Sequence, residues 1–134
     1  MKKLIDNFPN QIKEGLTIGK NASFIMNKAN INNVLISGLG GSGIGGQIVA
    51  QLVSGNAKCP IVTNNDYNIP CFVDENTLVI ICSYSGNTEE TLSTMNAALQ
   101  KNAEIACITS GGKVLENAEK HKLNHIVIPG GFPP

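Results

Sequence analysis

The chain has 134 residues, 42% hydrophobic and 4% aromatic, which is the size of one ordinary domain with an aliphatic core. Ten basic residues, all of them Lys, balance ten acidic ones, so the charge bias that draws a protein to nucleic acid or a membrane surface is excluded. Cys59, Cys71, Cys82 and Cys107 form no CxxC pair or metal-ligand spacing. They read as reduced, structural thiols. Lys2-Lys3 is followed by no apolar signal region and no run reaches transmembrane length, which predicts a soluble, cytoplasmic protein.

Residues 10–28 read as a helix, with Ile12, Leu16, Ile18, Ala22, Ile25 and Met26 along one face. Asn30, Asn32 and Asn33 break it, and residues 34–37 form a short aliphatic strand that runs into glycines. A helix is predicted over 42–53 and a strand over 60–63, followed by a polar loop holding Asn64, Asn65, Asp66 and Pro70. The most apolar strand spans 78–82, and a helix over 88–101 precedes a strand at 104–108. A last helix at 113–120 leads to a strand at 125–128. His121 and His125 lie four apart where the helical pattern is ending, and read as a surface pair rather than metal ligands. The alternation predicts an α/β fold: a doubly wound, five-stranded parallel sheet of order 2-1-3-4-5 with helices on both faces. The closing Gly130-Gly131-Phe132-Pro133-Pro134 reads as a loop leading away from a strand, not as a helix that completes a domain.

Two turns carry the chemistry. In 38-Gly-Leu-Gly-Gly-Ser-Gly-Ile-Gly-Gly-46, Gly38, Gly40 and Gly43 fit the dinucleotide fingerprint, with Asp66 further on as its acidic residue. Asp66 sits several polar residues past its strand, and the fingerprint leaves the second turn unexplained. An NAD-binding domain is therefore the weaker alternative, and a tight strand-to-helix turn without a ligand is another. The second turn is 83-Ser-Tyr-Ser-Gly-Asn-Thr-Glu-Glu-Thr-91. Ser83, Ser85 and Thr88 offer hydroxyls, Gly86 allows a sharp bend, and the N–H groups of residues 86–89 stand at a helix start, which favours a phosphate dianion. Asn87 and Glu90 have capping-box spacing. A turn rich in Ser and Thr that binds only water is the competing reading. In a 2-1-3-4-5 sheet the two turns follow neighbouring strands and face one crevice.

The loop Ser83–Thr91 resembles the phosphosugar-binding loop of the sugar isomerase (SIS) domain. The turn Gly38–Gly46 is similar to that of one branch, the bifunctional phosphoglucose/phosphomannose isomerases. Phe8-Pro9-Asn10-Gln11, Asp66-Tyr67 with Pro70, and Pro129–Pro134 are similar to that branch as well. The resemblance implies that the whole chain, 1–134, is a single SIS domain with an N-terminal helix, matching the first of two in a longer enzyme. It implies that Ser83, Ser85, Gly86, Asn87 and Thr88 hold the phosphate, while Gly40, Gly41 and Ser42 line the sugar's reacting end. It also implies aldose–ketose isomerisation of glucose 6-phosphate or mannose 6-phosphate with fructose 6-phosphate, with no cofactor or metal. The family's general base is a Glu in the second half, with a His and a Lys beside it, and an active-site Arg follows the Pro-Pro. The catalytic residues are thus expected outside this chain, and the chain alone is expected to be inactive. The implied partners are a second SIS domain or a second copy as a homodimer, docked through exposed apolar helices. A non-catalytic phosphosugar sensor is the alternative, though no DNA-binding helix-turn-helix precedes residue 30.

Overall fold

The computed structural model describes residues 2–28 and 30–132. Two helices come first, α1 (Lys2–Asp6) and α2 (Phe8–Asn21). Then follow β1 (Asn33–Gly38), α3 (Gly40–Val53), β2 (Ile61–Asn64), β3 (Thr77–Ser83), α4 (Glu89–Gln100), β4 (Glu104–Thr109), α5 (Gly112–Lys120) and β5 (Asn124–Val127). The five strands form one sheet in the order β2-β1-β3-β4-β5, and every pairing is parallel. This is the predicted doubly wound sheet, and its topological switch lies between β1 and β3. Pro133 and Pro134, part of the closing motif, lie outside the described residues.

Side chains alternate across the sheet. On one face Leu35, Val79, Ile81, Ile105 and Cys107 are buried against Met95 and Ala98 of α4 and Val114 and Ala118 of α5. That cluster holds no aromatic ring, as the composition requires. α3 covers the other face, where a Cβ on Gly46 would come within 2.7 Å of Ile36 Cγ2. Gly46 is therefore what lets α3 lie close to β1.

The helix predicted over 10–28 is α2, and it differs from that reading at both ends. It starts at Phe8, with Pro9 in the first turn, where a missing N–H costs nothing. It stops at Asn21, with Ala22 already extended at ψ 134°. Ile25 and Met26 therefore do not continue the helical stripe. The reason lies a hundred residues away: Ile25 N–H donates to Asn124 Oδ1 at 2.8 Å, and Asn124 Nδ2 donates back to the Ile25 carbonyl at 2.8 Å. One amide side chain satisfies both backbone groups that a helix would have used.

Candidate functional site

At the C-terminal edge of the sheet a cleft of about 550 Å³ opens between the β1–α3 and β3–α4 turns. It is lined by Leu39, Gly40, Gly41 and Ser42 on one lip, by Tyr84, Ser85 and Thr88 on the other, and by Ile128 and Phe132. Of the eight residues proposed from the sequence, Gly40, Gly41, Ser42, Ser85 and Thr88 meet here. Ser83, Gly86 and Asn87 are not part of this lining; Ser83 and Gly86 are buried, Asn87 is exposed, and the three shape the loop.

Ser83 is buried at the end of β3. Its Oγ accepts the Gly86 N–H at 3.1 Å and pairs with Thr88 Oγ1 at 3.1 Å. Gly86 has φ +69°, and a Cβ there would collide with the Gly111 carbonyl. Its glycine identity follows from that contact. Asn87 does not form the capping box. Its Oδ1 accepts the Lys113 N–H at 3.1 Å in the first turn of α5, and its Nδ2 donates to the Ser85 carbonyl at 3.2 Å. α4 begins instead at Glu89, with Thr88 at the N-cap and no side chain capping it. A neighbouring loop presented α5 with an acceptor, and that tertiary bond outcompeted the local cap.

The donors left for a ligand are therefore fewer than the loop sequence suggests. Gly86 N–H is bound by Ser83 Oγ, and Asn87 N–H donates to Ser85 Oγ at 3.2 Å. That leaves Thr88 and Glu89 N–H at the uncapped start of α4. Across the cleft α3 begins at Gly40, its N-cap Leu39 equally without a side-chain bond. Two uncapped helix starts thus border one cleft, and each carries partial positive charge. No charged side chain is among the lining residues.

Leu39, Tyr84, Ile128 and Phe132 escaped the sequence reading. Tyr84 pins the last segment: its hydroxyl accepts the Phe132 N–H at 2.8 Å, and its carbonyl accepts Ser110 Oγ and Ser110 N–H at 2.6 and 3.1 Å. The one available signal was a large aromatic between two serines, in a chain with two tyrosines.

The glycine fingerprint borders a separate cleft of about 280 Å³ at the β1 and β2 ends, lined by Gly38, Gly40, Gly43, Gln47, Thr63, Asn64 and Asn65 among others. Asp66 is not in that lining. Its carboxylate accepts the Tyr67 N–H at 2.6 Å within its own loop. A Cβ on Gly43 would meet the Gly38 carbonyl at 2.6 Å, so close strand-to-helix packing already accounts for both glycines. The geometry does not favour the dinucleotide reading. His121 caps α5 while His125 stands on β5, its Nδ1 donating to the Leu123 carbonyl at 2.9 Å, so they are not a pair on one helix. All four cysteines are free. Burial pushes the Cys82 thiol up to about 11, and burial with Cys82 nearby pushes Cys107 up to about 12. Among the described residues no helix is long and apolar enough to cross a membrane.

Comparison with known proteins agrees with the fold. The SIS domain model matches residues 26–129. A bifunctional phosphoglucose/phosphomannose isomerase of Caldicellulosiruptor bescii is 47% identical over all 134 residues, and the match covers 40% of that protein. A protein of the same name from Thermoplasma acidophilum is 48% identical over 103 residues, 77% of this chain and 31% of its own length. The chain thus spans well under half the length of these relatives. A Clostridium difficile protein described as a candidate phosphosugar isomerase superposes with a TM-score of 0.71 at 22% identity, over 89% of this chain and 34% of that one, which speaks for the fold. The chain belongs to the SIS domain family.

Proposed function

We propose that this domain binds the phosphosugar of an aldose–ketose isomerase that interconverts glucose 6-phosphate or mannose 6-phosphate with fructose 6-phosphate. The observation that carries the proposal is the meeting of Gly40, Gly41 and Ser42 with Ser85 and Thr88 across one cleft bordered by two uncapped helix starts. The phosphate sits at Ser85, Thr88 and the α4 N-terminus, with Ser83, Gly86 and Asn87 holding the loop in shape. The sugar then extends toward Gly40–Ser42. Fixing the phosphate supplies remote binding energy that orients the carbons undergoing proton transfer.

Moving a proton between C1 and C2 needs a general base and a cation for the developing enediolate oxygen. No ionisable acid or base is in the cleft lining apart from the Tyr84 hydroxyl, which already accepts the Phe132 N–H. Glu89 and Glu90 stand in the first turn of α4, at the phosphate end and away from C1 and C2. The base and cation therefore come from outside these 134 residues, on a second SIS domain, and the 134 residues alone have no turnover. The longer protein works in the cytoplasm on a soluble metabolite.

Calorimetric titration of the chain with fructose 6-phosphate, fructose and NAD tests the binding. Fructose 6-phosphate is expected to bind at least ~10-fold tighter than fructose, the least that one charge-assisted contact supplies. Equal affinity for the two sugars, or binding of NAD alone, would overturn the proposal.

A further inference from the structure

α2 is an amphipathic helix without a partner. Phe8, Ile12 and Leu16 recur every four residues along one face and are 58%, 49% and 60% exposed. No residue of α2 is buried, and its main packing among the described residues is with α1. An isolated helix of this length is marginal in water, so its apolar face needs a surface.

The sheet has a matching strip. Opposite the face packed by α4 and α5, the side chains of Leu78, Ile80 and Cys82 on β3, Ala106 and Ile108 on β4 and Ile126 on β5 are only half-buried. The strand register places Ile80 beside Ala106, Cys82 beside Ile108, and Ile108 beside Ile126 on this face. α3 packs against β1, β2 and β3, while β4 takes its helix packing from α4 and α5, and β5 from α5. Beside α3, then, an aliphatic strip runs up β3, β4 and β5.

The connector between α2 and β1 crosses the lower end of that strip. Ile25 is clamped by Asn124 at the start of β5. Asn27 Nδ2 donates to Glu104 Oε1 at 3.4 Å at the start of β4. Alternation puts Glu104 on the face of Ala106 and Ile108, and Asn124 on the face of Ile126. From Ile25 back to Asn21 four residues reach at most ~14 Å. The 14 residues of α2 span ~21 Å as a helix, and the six of β4 span ~20 Å as a strand.

We infer that α2 is a strap that docks along this strip, beside α3, with Phe8, Ile12 and Leu16 on Ile80, Ile108 and Ile126. The occupant is this chain's own α2. The anchor lies at the foot of the strip, and a short tether holds the helix at millimolar effective concentration, which a second copy in dilute solution does not match. Docking buries both apolar surfaces. It also carries Phe8 and α1 toward the C-terminal edge of the sheet, where Tyr84 and Ile128 continue the same face as the apolar wall of the cleft. The inference does not depend on what the cleft binds.

Amide hydrogen exchange of the 134-residue chain tests it at two protein concentrations, with the mass followed by sedimentation. The expected result is slowing of the α2 amides by on the order of 10²-fold relative to unfolded-chain rates. The slowing should be equal at both concentrations and present in the monomer. Leu16→Asp should abolish it in α2 while the β4 amides remain protected, which shows that the variant is folded. Exchange of α2 at unfolded-chain rates in wild type would overturn the strap. So would protection that grows with concentration together with dimer mass, because a second copy would then cover the strip.

Discussion

Three hydroxyls share the loop after β3, and their surroundings divide the labour. Ser83 is buried and holds the Gly86 N–H, so Ser83→Ala strands a buried donor and should cost about 1–3 kcal/mol. A lowered midpoint in chemical denaturation, with any residual ligand binding following the folded fraction, is the expected pattern. Ser85 is exposed on the cleft, and Ser85→Ala should weaken fructose 6-phosphate by about 10-fold or more while shifting stability by less than ~1 kcal/mol. Calorimetry beside denaturant titration separates the two. The sequence marked all three as candidate ligands because composition counts hydroxyls without their directions. Which hydroxyl turns inward depends on the bend at Gly86, and that bend is set by the carbonyl of Gly111, a residue remote in sequence. The thiols were readable, since Cys82 and Cys107 fall within aliphatic runs. Burial raises both from the ordinary value of 9.0, to about 11 and about 12. The folded state keeps protons that the unfolded chain releases, so stability is full below pH 9.0 and falls as pH rises toward about 11 to 12. A variant with both replaced by Ala should show a shallower alkaline decline in unfolding free energy than wild type.

Elements were read well wherever local pattern alone decides. The five strands came within two residues because short aliphatic runs between helical stretches leave few alternatives. Local readings failed where a distant side chain intervened. Asn124 holds both backbone groups of Ile25, and α2 ends early at Asn21. Asn87 caps α5 rather than α4, which still starts within one residue of its predicted position. Neither bond has a local signature, because an Asn near a turn satisfies many partners equally well. Asn87→Ala should therefore destabilise by about 0.5–2 kcal/mol, the range for a lost helix cap. Hydrogen exchange should show the loss in the first turn of α5 rather than that of α4. Faster exchange confined to the start of α4 would mean that the local cap operates after all.

At the scale of the molecule, the parallel order β2-β1-β3-β4-β5 accounts for the site. It puts β1 and β3 side by side, so two turns 45 residues apart, counted from Gly38 to Ser83, open onto one crevice. That consequence was legible, since it follows from strand order. The apolar wall of Leu39, Tyr84, Ile128 and Phe132 was not, because it is assembled from three separate connections. The cleft holds donors for an anion but neither an acid–base pair nor a cation, which suits a domain that positions a phosphosugar for groups supplied from elsewhere. The most direct test of that central claim is a calorimetric titration of fructose 6-phosphate into the Ser85→Ala/Thr88→Ala double variant beside wild type, with a thermal melt of each. Two hydrogen bonds to a charged phosphate contribute about 1.5–3 kcal/mol apiece, so affinity should fall by about 10²-fold or more. The melting temperature should move by only a few degrees, since Ser83 still holds Gly86 and Asn87 still caps α5. Unchanged affinity in a variant that melts like wild type would show that the phosphate binds away from this turn.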